Sequence, residues 1–330
     1  MINNNITIPH APAITRLTFR HFRGKTDYAL MAQVRKDSKE YDHVDPLSTL
    51  ESVPTAEEIK KHINDDHCNP FKDIIIAEIN GNVIGYSKIG WWTEKDGTWL
   101  YLHLQYLVPA WRNKEIDDAL LLWSEARIRD IAQTHQTNGK GMYGSSATTT
   151  EKEKTALLNR HGYTPAFSMI EMEFTDFTTL HDVSLPDEFT IKPVLPEHIR
   201  TIWEANNEVY ANRQFSIIPT EEDYQEFLNN PNNDYSLWTV AWHNTALAGF
   251  MLAEIEKDRG NFTEVSIREP YRKKGLAYAL MIKTLLKLKK KGITIVRLCT
   301  NGENVAGAKS LYEKVGFHVL KTHIRYRKPL

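Results

Sequence analysis

A chain of 330 residues fits two domains of ordinary size better than one. Hydrophobic residues make up 41% and aromatic residues 10%, which supplies real cores and excludes a disordered chain. A formal charge of −1 argues against nucleic acid or an anionic membrane as the main partner, because both select for a basic surface.

In chain order, MINNNITIPH has neither a basic n-region nor an apolar h-region, so no signal peptide is expected. AITRLTFRHF reads as a strand and GKTDYALMAQVRKDS as a helix. DIIIAEINGNVIGYSKIGWW holds a hairpin with Asn80-Gly81 at its turn, a type I′ signal. WLYLHLQYLV is the next strand. A helix follows from about Ile116, then the stretch GMYGSSATT, then a helix ending at Gly162. The seam lies in TDFTTLHDVSLPDEF (175–189), which mixes turn residues with weak periodicity. FTIKPV alternates as a strand, and Pro196 follows at a first helical position. SLWTVAW and ALAGFMLAEIE form a second hairpin, followed by the strand FTEVSI. Leu276, Ala279, Leu280 and Leu286 recur at helical spacing up to a lysine cluster and Gly292. ITIVRLC is a β-branched strand, VAGAKSLYEKVGF a helix stopped by Gly316, and HVLKTHIRYRK a final pair of strands. No apolar run spans a bilayer, and Cys68 and Cys299 make no disulfide framework, so a reducing cytoplasm is expected.

The two halves repeat one order of elements. Trp111-Arg112 and Tyr271-Arg272 stand 160 residues apart, and Gly162-Tyr163 and Gly316-Phe317 stand 154 apart. The difference places an insertion in the first half, around HQTNGKGMYG. A repeat of this kind sets the fold. It gives domains over 1–180 and 181–330.

The chemistry concentrates in TEVSIREPYRKKGLAYAL, which runs from strand to helix. Arg272, Lys273, Lys274, Gly275, Leu276 and Ala277 present consecutive backbone N–H groups at a helix N-terminus. Such a turn binds pyrophosphate through unpaired donors and the positive end of the helix dipole. Gly275 allows close approach, and the three cations supply charge for phosphate oxygens. The plainer alternative is a basic loop before a helix. The next helix adds a linked motif, Asn304, Ala308, Leu311, Tyr312, Gly316 and Phe317.

Together these motifs resemble the GNAT superfamily of acetyltransferases. The signature (Q/R)-x-x-G-x-(G/A) falls on Arg272, Gly275 and Ala277, and N-x-x-x-A-x-x-L-Y-x-x-x-G-F on Asn304 through Phe317. The resemblance covers the second half in motif and the first half in order of elements. It implies an α/β (α+β) protein of two GNAT folds in tandem. Each would be a mixed, mostly antiparallel sheet, splayed at its fourth and fifth strands and flanked by helices. It also implies acetyl-CoA as co-substrate and an amine acceptor; no metal is expected. The pantetheine arm would lie in the splay along Val265–Ile267, where a backbone amide holds the thioester oxygen.

Acetyl transfer also needs a base for the ammonium, with a pKa of about 10, and an acid for the departing thiolate. The resemblance assigns the acid to Tyr312, whose alternative is packing on the sheet. It places a carboxylate base at Glu264, whose alternative is a solvated strand residue, since alternation does not fix its face. Glu254 is the reserve. Asn304 holds the pantetheine arm, caps the following helix, or both. Rival readings are a non-catalytic acyl-CoA-binding or regulatory protein, a longer acyl donor, or a protein amine as acceptor. The expected assembly is a monomer or homodimer, without nucleic acid or membrane.

Other features take plainer readings. The lysine run Lys287, Lys289, Lys290 and Lys291 suits a helix C-terminus. His62, His67 and Cys68 lack metal-ligand spacing. Trp91, Trp92 and Trp111 read as core or cleft lining. In the first half, Glu115 and Asp117 stand where Gly275 and Ala277 stand in the second, with Thr150 and Leu158 for Asn304 and Tyr312. A glutamate there crowds and repels pyrophosphate, so this module is expected not to bind acetyl-CoA. Glu115, Asp117 and Asp118 are expected to cap the exposed amides instead.

Overall fold

The structure, a computed structural model, describes residues 5–330 apart from 47, 49, 52, 66, 136, 138, 212–216, 257, 304–306 and the side chains of 64 and 65. Its contacts form two compact units. One is Met1–Ser168 with His323–Leu330, the other Met169–Thr322. A cut near residue 180 separates the two repeats of element order, but the contacts group the chain differently. The physical reason is strand pairing: each unit's sheet ends on a strand contributed by the other repeat.

The first unit runs β1 (Asn5–Ile6), β2 (Leu17–His21), α1 (Lys25–Tyr41), α2 (Ala56–Asp65), α3 (Pro70–Asp73), β3 (Ile74–Ile79), β4 (Asn82–Thr93), β5 (Trp99–Leu107), α4 (Ile116–Ala132), β6 (Gly141–Thr148) and α5 (Lys152–Arg160), with the start of β7 (Thr164–Phe174). Strands β1 to β5 pair antiparallel in sequence order. Strand β3 is buried on both faces and apolar except for Glu78, which pairs with buried Arg20. Ile74 and Ile76 pack toward α1 and α2, while Ile75, Ala77 and Ile79 pack toward α4. Asn80 and Gly81 both take positive φ, 51° and 78°, as a type I′ hairpin requires. Strand β6 joins β5 in parallel, and the final residues of the chain, His323–Pro329, pair antiparallel with β6.

The second unit runs β8 (Thr190–Lys192), α6 (Ile199–Tyr210), α7 (Glu221–Leu228), β9 (Thr239–His243), β10 (Ala246–Glu256), β11 (Arg259–Ile267), α8 (Leu276–Lys290), β12 (Val296–Asn301) and α9 (Ala308–Val315). Strands β8 to β11 are antiparallel, β12 is parallel to β11, and Met169–Phe174 pairs antiparallel with β12. One apolar cluster lies under α8 and α9, and a second lies under α6 and α7. The last strand, β13 (His318–Pro329), is continuous. It replaces the expected pair of strands, since HVLKTHIRYRK holds no turn residue to break it.

The repeat extends to the backbone. Leu100 pairs with Met142 in the first unit as Gly260 pairs with Val296 in the second, so the offset changes from 160 to 154 between α4 and β6. An added Cβ at Gly85 would stand 2.9 Å from the Tyr106 carbonyl oxygen, and one at Gly249 would stand 2.8 Å from that of Ser266. Both glycines are demanded by the same close approach of two strands. Both units also splay at one place. Parallel pairing covers only Trp99–Leu102 with Gly141–Gly144, and Gly260–Phe262 with Val296–Leu298. Among the described residues, the C-terminal ends of β5 and β11 therefore have no pairing strand on that side.

Candidate active site

Strand β11 leads through a short 3₁₀ turn, Glu269–Tyr271, into α8. Lys273 and Gly275 take positive φ, 59° and 80°, which turns the chain so that the first amides of α8 face outward. Among the described residues, and apart from the adjoining chain, nothing lies within 4 Å of the place a Gly275 Cβ would occupy. Arg272, Lys273 and Lys274 are exposed around it. Arg272 Nε donates to the Ile267 carbonyl at 2.9 Å, and Lys274 Nζ to Glu188 at 2.9 Å. Leu276 is buried as the first residue of α8, with Ala277 half-buried beside it.

The peptide groups of β11 are oriented by pairing. Arg268 N–H donates to the Ala248 carbonyl at 3.0 Å. Antiparallel alternation then turns the peptide groups of Val265 and Ile267 away from β10, toward the splay. Two bonds agree: Tyr210 Oη donates to the Val265 carbonyl at 3.3 Å, and Arg272 to that of Ile267. The unpaired edge of β11 and the basic turn thus adjoin.

Strand alternation also settles which face each candidate occupies. The side chains of Val265 and Ile267 pack with Leu276 and Tyr312 in the cluster under α8 and α9. Tyr312 is 6% exposed, its ring edge-on to Phe317 at 6.3 Å. Glu264 lies opposite Leu252, which packs under α6, and alternates with Ser266, whose hydroxyl meets Asn206 of α6 at 2.6 Å. Glu264 therefore faces α6, and Tyr312 lies on the other face of the sheet. Glu254 pairs across from Asn261 on the face of Glu264. Burial pushes its carboxyl above the usual range, with Asn261 opposing and Glu256 adding. Asn304 lies outside the described residues. Tyr210 and Asn206 were missed by motif reading. Their signal is the i, i+4 spacing that puts both on one face of α6.

The same turn in the first unit is filled. Asn113 and Glu115 take positive φ, 56° and 63°, so the backbone repeats that of Lys273 and Gly275. Arg112 Nε donates to the Leu107 carbonyl at 3.1 Å, as Arg272 does to Ile267. Beyond that bond the two arginines differ. The Arg112 head grips both Asp42 oxygens at 2.6 and 2.8 Å, Ser38 Oγ at 2.6 Å and Glu153 at 3.1 Å. These partners lie across the splay and spend the guanidinium. Of the three acids expected to cap the helix, Asp117 meets the first-turn amides of Asp117 and Asp118, while Glu115 and Asp118 do not cap it. Glu115 makes no capping bond, and Asp118 accepts from Arg160 at 2.9 and 2.6 Å and pairs with His161 at 2.6 Å. Partners on and just after α5 outcompete the amides because an ionised donor makes the stronger bond. Arg160 and His161 hold the Asp118 carboxyl below its ordinary value against burial.

Residues 199–317 match the model of the Acetyltransferase (GNAT) family. No curated protein matches the chain. Solved structures share the fold along its whole length. A GCN5-related N-acetyltransferase from Sphaerobacter thermophilus superposes with a TM-score of 0.76 at 20% identity, covering 98% of this chain and 96% of that one. A tandem GNAT protein from the clavulanic acid biosynthesis pathway gives 0.65 at 12% identity, covering 94% and 98%. A GNAT-family acetyltransferase from Colwellia psychrerythraea gives 0.56 at 15%, covering 94% and 98%. The mixed splayed sheets and the open helix turn are those of a GNAT fold. The second module matches the GNAT family model, and the whole chain shares its fold with solved structures that include a tandem GNAT protein.

Proposed function

We propose that the second module transfers an acetyl group from acetyl-CoA to a primary amine of a small molecule, and that the first module does not bind acetyl-CoA. The observation that carries this reading is the pair of turns. One backbone design is exposed and basic at Arg272–Gly275, yet spent on internal carboxylates at Arg112–Glu115.

In this reading the amides of Lys273 to Ala277, with Arg272 and Lys274, receive the pyrophosphate. The Val265 and Ile267 peptide groups pair with the pantetheine arm. One of their amides donates to the thioester oxygen as it gains charge. Glu264 takes the proton of the ammonium, directly or through water, with Glu254 in reserve; the neutral amine then bonds to the acetyl carbon. The carbon–sulfur bond breaks, the Tyr312 hydroxyl gives its proton to the thiolate, and the second proton shed by the nitrogen as the amide forms restores the Tyr312 hydroxyl through solvent. Support for this division of labour is that Glu264 and Tyr312 flank the splay from opposite faces. The test is acetyl-CoA titration of Gly275→Glu. Unchanged affinity sinks the assignment, and abolished binding upholds it.

A further inference from the structure

The first module keeps a cleft at the place where the second offers its splay. It is lined on one side by Gln105, Tyr106 and Leu107 of β5 and Asp117 of α4, and on the other by Arg112 and α5. Gln105 and Asp117 are each 8% exposed. Gln105 Nε2 donates to the Asp117 carbonyl at 3.1 Å, which fixes the amide so that Oε1 is the free acceptor. Among the described residues, Gln105 Oε1 and Asp117 Oδ1 accept no hydrogen bond. Buried acceptors are almost always satisfied, so two together in a cleft call for a donor from outside the chain.

Charge says which donor. Asp42, Asp117, Glu151 and Glu153 line the cleft against two cations, Arg112 and Lys154. Arg112 is consumed by Asp42 and Glu153, and Lys154 lies 3.7 Å from Glu151. Arg160 approaches Asp117 Oδ2 at 3.6 Å, leaving Oδ1. Behind the cleft, Arg35 and Lys39 face Glu51, which reduces the negative surplus without reversing it. Burial, then Asp118, raises the Asp117 carboxyl against the amides of Asp117 and Asp118 and the charge of Arg160, and a bound cation relieves the remaining cost. Tyr106, Leu107 and Leu157 add an apolar wall.

We propose that this cleft binds a small primary alkylammonium ion, its nitrogen donating to Gln105 Oε1 and Asp117 Oδ1 and its chain lying on Tyr106, Leu107 and Leu157. The site does not depend on the chemistry of the second module. The test is calorimetric titration of the full chain, without acetyl-CoA, with butylammonium chloride and with butan-1-ol as its neutral match. Butylammonium binds and butan-1-ol binds at least tenfold more weakly. Asp117→Asn and Gln105→Leu weaken the ammonium at least tenfold, and Gln105→Glu tightens it. Melting curves establish that each variant is folded. Should the first two fail to fold, tightening by Gln105→Glu decides. No binding to the native chain overturns the proposal, because the acceptors then hold only water. Equal binding of butan-1-ol overturns it too. An affinity that none of the folded variants moves places the amine elsewhere, the second module included, and also overturns it.

Discussion

Arg112 and Arg272 begin the same turn, make the same bond to the strand before it, and have opposite fates. Arg272 sits on an exposed basic loop, while the head of Arg112 is locked onto Asp42, Ser38 and Glu153. Glu115 adopts a left-handed backbone at φ 63°, close to the 80° of Gly275. The turn therefore outlasts the glycine that suits it best, and what separates the modules is charge and occupancy. The same contrast appears in the strands. His103 of β5 is fully buried against Tyr163, at 2.9 Å, while β11 has Thr263 at the matching position.

The comparison is broken most severely by exchanging its key residue. Gly275→Glu should weaken acetyl-CoA by a hundredfold or more in calorimetric titration, while Glu115→Gly leaves the heat of binding as it was. Since Glu115 tolerates this backbone, the strain in Gly275→Glu stays near ~1 kcal/mol and the variant should still melt cooperatively. Arg112→Ala should destabilise the first module by about 3 kcal/mol, because it strands the buried Asp42 and the half-buried Glu153. Denaturant unfolding measures this, and acetyl-CoA affinity should not move. Tyr312→Phe should lower kcat by roughly a hundredfold with little change in acetyl-CoA affinity. A variant with normal turnover removes Tyr312 from the acid role.

The smallest effect is a pH dependence confined to the first module. Burial, aided by Lys154 and Lys328, pushes the His103 imidazole down to about 3, well below its unfolded value of about 6.5. The unfolded chain then binds the proton first, so stability present above pH 6.5 is lost as the pH falls toward 3. Melting from pH 7 to 5 should show a loss of roughly 1 kcal/mol per unit below 6.5 that His103→Gln lacks. Parallel curves for the two proteins contradict this.

Much of this was legible in the sequence, and unevenly so. The turn at Arg272–Gly275 and the helix end at Gly316 are local events, written in a few residues whose backbone needs are specific. Helix α2 escaped reading although Thr55 and Glu58 form a reciprocal cap at 2.6 and 3.2 Å, and α7 has the same device at Thr220 and Asp223. Both helices are short and lie in polar stretches where periodicity is weak. The face of Glu264 was undetermined until the pairing of β10 with β11 was known, because alternation fixes sides only relative to a neighbour. The partners of Arg112 lie at separations of 70 residues for Asp42 and 41 for Glu153, and no local pattern announces them.

The central claim is that the chain carries one working acetyl-CoA site, in the second module. Calorimetric titration of the full chain with acetyl-CoA tests it most directly: the account predicts one molecule bound per chain, and two molecules per chain, or none, would contradict it.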